Sequence, residues 1–171
     1  MTDYEVDVAI RKQLLLQLKA VGIEIPVKAG FQSTKQGRED NMVMFFPINE
    51  SGLGWQGRKY NIQGNKANHQ ENQLSENTYQ VQAFVTQLGN YTAKDITAIV
   101  RMIANSLTFV ESLRKQGIGI QRATGIRTPY FLNDQGNYEQ NPSFDFNVTF
   151  NRTLHPDTNA VSALYPDIYR I

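Results

Sequence analysis

An α+β domain, with a mixed, mostly antiparallel sheet and two long helices packed on one of its faces, follows from three stretches of this chain. The first is Ser143-Phe144-Asp145-Phe146-Asn147-Val148-Thr149-Phe150-Asn151-Arg152, where every second residue from 144 to 150 is apolar and those between are polar. Successive side chains of a strand point to opposite faces, so this period of two gives one apolar face and one wet face. The other two stretches are residues 3–21 and 93–115, whose apolar residues recur at helical spacing. Burying each large apolar side chain of the strand is worth roughly 1.5–3 kcal/mol, and the two helices are the natural cover.

The chain of 171 residues is 40% hydrophobic and 19% charged, enough apolar material for one core and too little charge for general disorder. We divide it into a domain over residues 1–152 and a C-terminal extension or arm over 153–171. The net charge of +1 gives no global argument for nucleic acid or an anionic membrane. The absence of cysteine removes disulfides, thiolate nucleophiles and cysteine zinc sites. Met1-Thr2-Asp3-Tyr4-Glu5 has no basic segment followed by an apolar one, so no signal peptide is expected. No apolar run approaches the roughly 20 residues that cross a bilayer, and no membrane partner is expected.

Taken in order, Thr2 and Glu5 have the spacing of a capping box. Val6, Ala9, Ile10, Leu14, Leu18 and Val21 then form a helical stripe that Gly22 ends. Leu15 and Leu16 widen this stripe: either the helix is deeply buried or it also touches a neighbouring subunit. Glu24–Phe31 reads as a short edge strand, because Pro26 cannot donate to a ladder. Ser33–Asp40 reads as a turn, and Asn41–Ile48 as a strand buried on both faces; the spacing fits a hairpin between the two strands. Asn49–Glu76 reads as an irregular loop around Trp55, with Arg58 and Lys59 following. An exposed Trp55 would be a contact anchor; the alternative is an indole folded back on its own core.

Asn77–Thr86 alternates cleanly, with Tyr79, Val81, Ala83 and Val85 on one face. A turn at Gly89-Asn90 leads to Thr92 and Asp95, which cap the helix at 93–115. Its stripe is Ile96, Ile99, Val100, Ile103, Leu107 and Val110, and Gly117 ends it. Ile118–Ile126 reads as a strand, Pro129–Leu132 as extended, and Asn133–Asn137 as a turn before the Phe144 strand. The apolar groups after residue 153 include Tyr165, Ile168, Tyr169 and Ile171, which either pack on their own domain or reach a neighbour.

Little here points to catalysis. His69 and His155 are the only histidines, and neither has carboxylates at metal-ligand spacing. No metal, cofactor or catalytic residue is expected, and the reading is not that of an enzyme. Arg122, Arg127 and Arg152 would gather if their strands were adjacent. Surface ion pairs are one reading of them, and contact with a phosphate backbone the other.

Three segments of the C-terminal half are Leu113-Arg114-Lys115-Gln116-Gly117-Ile118-Gly119-Ile120, Arg127-Thr128-Pro129-Tyr130-Phe131-Leu132-Asn133-Asp134, and Tyr138-Glu139-Gln140 followed by Pro142-Ser143-Phe144-Asp145-Phe146-Asn147-Val148. With Tyr79–Val85 upstream, they resemble the neck or tail terminator proteins of long-tailed bacteriophages over residues 75–152. The resemblance implies a homo-oligomeric ring, usually a hexamer, assembled in the host cytoplasm and residing in the virion neck. Such a ring caps the tail tube, stops its polymerisation and joins it to the head connector, with double-stranded DNA in the lumen; the tail sheath is a further implied partner. A connector or adaptor ring at another layer of the neck is the alternative, and a small enzyme with a dispersed site a third. On this reading Leu15, Leu16, Tyr165, Ile168, Tyr169 and Ile171 are candidates for the subunit interface. Trp55, Arg58 and Lys59 are candidates for partner contact, and Arg122, Arg127 and Arg152 for the DNA-facing lumen.

Overall fold

Strand β3 (Lys66–Val85) is the spine of the computed structural model, which describes residues 1–30, 39–63, 66–86, 88–132 and 138–159. The other elements are α1 (Asp3–Ala20), β1 (Val27–Ala29), β2 (Asn41–Gln63), α2 (Ala93–Ala104), α3 (Leu107–Arg114), β4 (Gly119–Ile120), β5 (Tyr130–Leu132), β6 (Tyr138–Gln140), β7 (Ser143–Leu154) and β8 (Asp157–Asn159). The main sheet has the order β1-β2-β3-β7-β4, with β8 pairing the far end of β3; β5 and β6 form a separate hairpin. Every main-sheet pairing is antiparallel except β1 with β2. The expected α+β class therefore holds.

Registry explains where the core sits. Phe45, Val81 and Phe144 stand abreast on β2, β3 and β7, and Pro47, Tyr79 and Phe146 form the next row. The rings meet at centroid separations of 5.9 Å for Tyr79–Phe146 and 6.1 Å for Phe45–Tyr79. Phe144, Phe146, Val148 and Phe150 are each at most 1% exposed. Val6, Ile10, Leu14 and Leu18 of α1 and Ile96, Val100 and Ile103 of α2 join the same core. The opposite face of β7 carries an amide and carboxylate network, in which Gln80 donates to Asp145 and Asn147 to Glu76.

Helix α1 begins on the expected capping box, with Thr2 accepting from the Glu5 amide and Glu5 from the Thr2 amide. It ends at Gly22, whose φ of +78° is the left-handed conformation that glycine tolerates. The helix is also pinned to the sheet by polar contacts: Tyr79 donates its hydroxyl to Asp7 at 2.9 Å, and Asn77 donates to Asp3 at 3.2 Å.

Four expectations need correction. The first two strands do not form a hairpin, because β1 runs parallel to β2, with Val27 opposite Val43. Pro26 still precedes an edge strand, and its carbonyl accepts from Val43. The helix over 93–115 is two helices bent by 54°. Ser106 accepts from the Phe109 amide and starts α3, while Asn105 accepts from the Ala123 amide. Short polar side chains that bond nearby backbone compete with helix continuation. The break re-aims the stripe, so Phe109 and Leu113 are buried and Leu107 is 76% exposed.

Beyond Gly119–Ile120, the segment toward Ile126 is no regular strand. It follows β7 through single bonds, Gln121 to the Asn147 carbonyl and Thr124 to the Asp145 carbonyl. Residues 49–76 are not an irregular loop but belong to a long hairpin, paired from Glu50–Asn77 to Gln63–Lys66 with one register shift between Leu53 and Gly57. The expected turns at 33–40 and 133–137, and the apolar groups from Val161 onward, fall largely or wholly outside the described residues.

Burial raises the Asp7 carboxyl above its ordinary pKa of 3.8, the Tyr79 hydrogen bond opposing this in part. A raised folded-state pKa contributes stability that is fully present below the unfolded value and is lost as pH rises through the folded one. A neutral amide at this position mimics the protonated carboxyl. Asp7→Asn is therefore expected to raise the urea midpoint at pH 7, with the gain vanishing below pH ~4, near the unfolded Asp value. A lower midpoint at pH 7 would show that the charged form stabilises the fold.

Candidate assembly interface

The hairpin formed by residues 49–63 of β2 and 66–76 of β3 projects as an arm. Its β2 residues from Gly52 to Tyr60 are exposed. None of the arm's described apolar side chains is buried, and cross-strand pairs order it instead. Arg58 lies 3.3 Å from Glu71, directly opposite, and Tyr60 stacks on His69 with ring centroids 4.4 Å apart. Strand β7 continues along the other flank of β3 as far as Leu154, opposite Glu71. A register shift between Leu53 and Gly57 bulges β2, where Gly54 has a φ of +70°. Trp55 stands on this bulge and is 98% exposed, so the indole is not folded back on the core. Arg58 and Lys59 are exposed just beyond the bulge.

A second surface lies at the other end of the molecule. Leu15, Leu16 and Lys19 of α1 and Ile23, Glu24, Ile25 and Pro26 after it line an open groove of about 460 Å³. Leu15 is half-buried, and Leu16 is 54% exposed. Tyr4 and Val8 are exposed on the same helix, in the i, i+4 row that runs through Lys12 to Leu16. Sequence reasoning missed these two, although that spacing was visible. The remaining interface candidates, Tyr165, Ile168, Tyr169 and Ile171, lie outside the described residues.

The three arginines do not cluster. Arg127 bonds Asp145 at 2.6 Å, and its backbone bridges Ser143 at the start of β7. Arg152 lies nine positions further along β7, roughly 30 Å at the rise of a strand. It bonds Asp3 and Glu50, each at 2.7 Å, and its guanidinium sits 5.1 Å above the Phe150 ring. This arginine ties α1, the base of the arm and β7 together. Arg122 is exposed beside a cleft of about 340 Å³, lined also by Ala104, Asn105, Val110 and Ile120.

Among the described residues no group of three or more His, Asp or Glu is placed to hold a metal ion, and no single helix is long and apolar enough to cross a membrane. His69 is 3.3 Å from Glu71, beneath the Tyr60 ring. What the described residues display is a strand arm with an exposed indole and, apart from it, an apolar groove.

Residues 5–160 match the family described as E217 gateway protein gp29. With nearly the whole chain matched, the protein is of the phage gateway protein class, and it belongs to the family described as E217 gateway protein gp29. Among solved structures it is similar to the sheath/tube terminator of the extracellular contractile injection system PVC in its extended state. That similarity has 14% sequence identity and a TM-score of 0.48, over 96% of this chain and 63% of the other. This chain thus spans less than two thirds of the length of that terminator. No curated protein matches it at a significant level.

Two substitutions separate support from display. Arg152→Gln leaves Asp3 and Glu50 facing each other without a cation. It is expected to destabilise the fold by about 1 kcal/mol, because the site is part-exposed and solvent-screened, and the loss should shrink in high salt. Trp55→Ala is expected to change stability by less than about 0.5 kcal/mol, as exposed substitutions do. Urea denaturation at two salt concentrations checks both. A large loss for Trp55→Ala would mean that the indole packs on its own chain.

Proposed function

We propose that this protein is a ring-forming tail terminator, a structural and non-enzymatic virion protein of the phage neck. It caps the tail tube, stops its polymerisation and joins the tail to the head connector, with DNA passing through the lumen. Family membership over residues 5–160 carries this reading.

The exposed surfaces agree with a ring. A closed ring needs a heterologous contact, in which one patch meets a different patch on the next copy. The arm and the groove are two such unlike patches at opposite ends of the domain. Trp55, Arg58 and Lys59 serve as the contact with the tube or sheath, where an exposed aromatic flanked by cations makes a compact anchor. The chain's net charge of +1 suits a conduit in which DNA must slide, since dense phosphate contacts would hold it. Of the three arginines, Arg122, exposed beside its cleft, faces that conduit, whereas Arg127 and Arg152 are held in ion pairs of their own chain.

The test is tube growth. Tail tube protein is polymerised with and without this protein, and tube lengths are measured by negative-stain imaging. Shorter, capped tubes are expected, with the effect lost in Trp55→Ala. Tubes of unchanged length would overturn the terminator role. If the protein instead bound a head connector in that case, the layer would be that of an adaptor ring.

A further inference from the structure

We infer that the C-terminal segment, residues 160–171, of one copy docks in the Leu15–Leu16 groove of the next copy and links the ring. The inference rests on the ring reading above, and it names which surfaces meet.

The occupant follows from where the described chain stops. Strand β8 ends at Asn159, opposite Lys66, near the tip of the arm. The groove lies at the other end of the sheet: the Pro26 carbonyl accepts from Val43, and Val43 is opposite Ala83 of β3. Ala83 is seventeen positions from Lys66, about 56 Å of strand at ~3.3 Å per residue. The twelve residues after Asn159 span at most about 43 Å when fully extended. Leu164 and Tyr165, the first large apolar residues of the segment after Val161, lie within about 20 Å of Asn159 by the same measure. Measured along the sheet, the segment is shorter than the path back to its own groove, so we assign it to the groove of a second copy.

The chemistries match. Leu15, Leu16, Ile23, Ile25 and Pro26 give the groove an apolar floor, with one cation, Lys19, and one anion, Glu24. The segment Leu164-Tyr165-Pro166-Asp167-Ile168-Tyr169-Arg170-Ile171 offers five large apolar side chains with one anion and one cation among them. A volume of about 460 Å³ is in the range of pockets that enclose a few side chains. Without an occupant, Leu16 stays in water on every copy.

The chain has no cysteine, so introduced pairs report without background. Leu16→Cys and Ile168→Cys are combined in the full-length chain, which is oxidised and run on a non-reducing gel; light scattering gives the mass of the same sample, alone and mixed with tail tubes. The inference expects a multimer whose chains link into a covalent ladder. It also expects roughly tenfold less linking when Val8→Cys replaces Leu16→Cys, since a disulfide needs Cα atoms within about 7 Å. Mixing the two single variants should give the linked pair as well, which only contact between copies can do. A multimer with no ladder, or with links only inside one chain, would overturn the groove assignment and leave the ring standing. A monomer at every concentration, with and without tubes, would overturn the ring and this inference together.

Discussion

The row of side chains across β2, β3 and β7 is the constraint on which the structure depends. Phe45, Val81 and Phe144 lie abreast, with Tyr79 and Phe146 stacked beside them. A one-residue slip of β7 along β3 would turn Phe144 and Phe146 to the wet face and strip the core of two of its rings. Tyr79 is central for a second reason, because its hydroxyl reaches Asp7 and fixes how α1 lies on the sheet. A buried phenol without a partner would be costly, so one hydrogen bond aligns the helix while the ring fills the core. The arm, the groove and the helix break are arranged around this fixed centre.

Where burial imposed a period, the sequence could be read. Phe144, Phe146, Val148 and Phe150 alternate because one face of β7 is covered, and Tyr79, Val81 and Ala83 do so for the same reason. The capping boxes at Thr2 and Thr92 were legible as spacings because their chemistry is local. The arm was invisible because none of its described apolar side chains is buried. Its strands therefore carry Asn, Gln, Glu and Lys without alternation, and Gly52, Gly54 and Gly57 resemble loop punctuation. Only partner position reveals it as sheet, as when Arg58 faces Glu71 and Tyr60 faces His69.

The helix break shows a different limit. Ser106 carries a cap signal, but apolar residues continue on both sides of it and conceal the stop. What decides is tertiary: Ser106 also donates to Gln17, and Asn105 accepts from Ala123. Of the candidate site residues, the sequence left Trp55 and Leu16 open between core and surface, and only the fold exposes both. The separation of the arginines was not legible, because it depends on pairing partners distant in sequence.

Strand β3 passes without interruption from the arm into the hydrophobic centre, hydrogen-bonded on both flanks for much of its length. A load pulling the arm away from the domain acts along that strand, across the direction of its ladder bonds. Such bonds are strained in shear, all at once, rather than peeled apart in succession. The arm is thus mechanically continuous with the core, and tension at its tip is resisted by the same rows of side chains that hold the fold together.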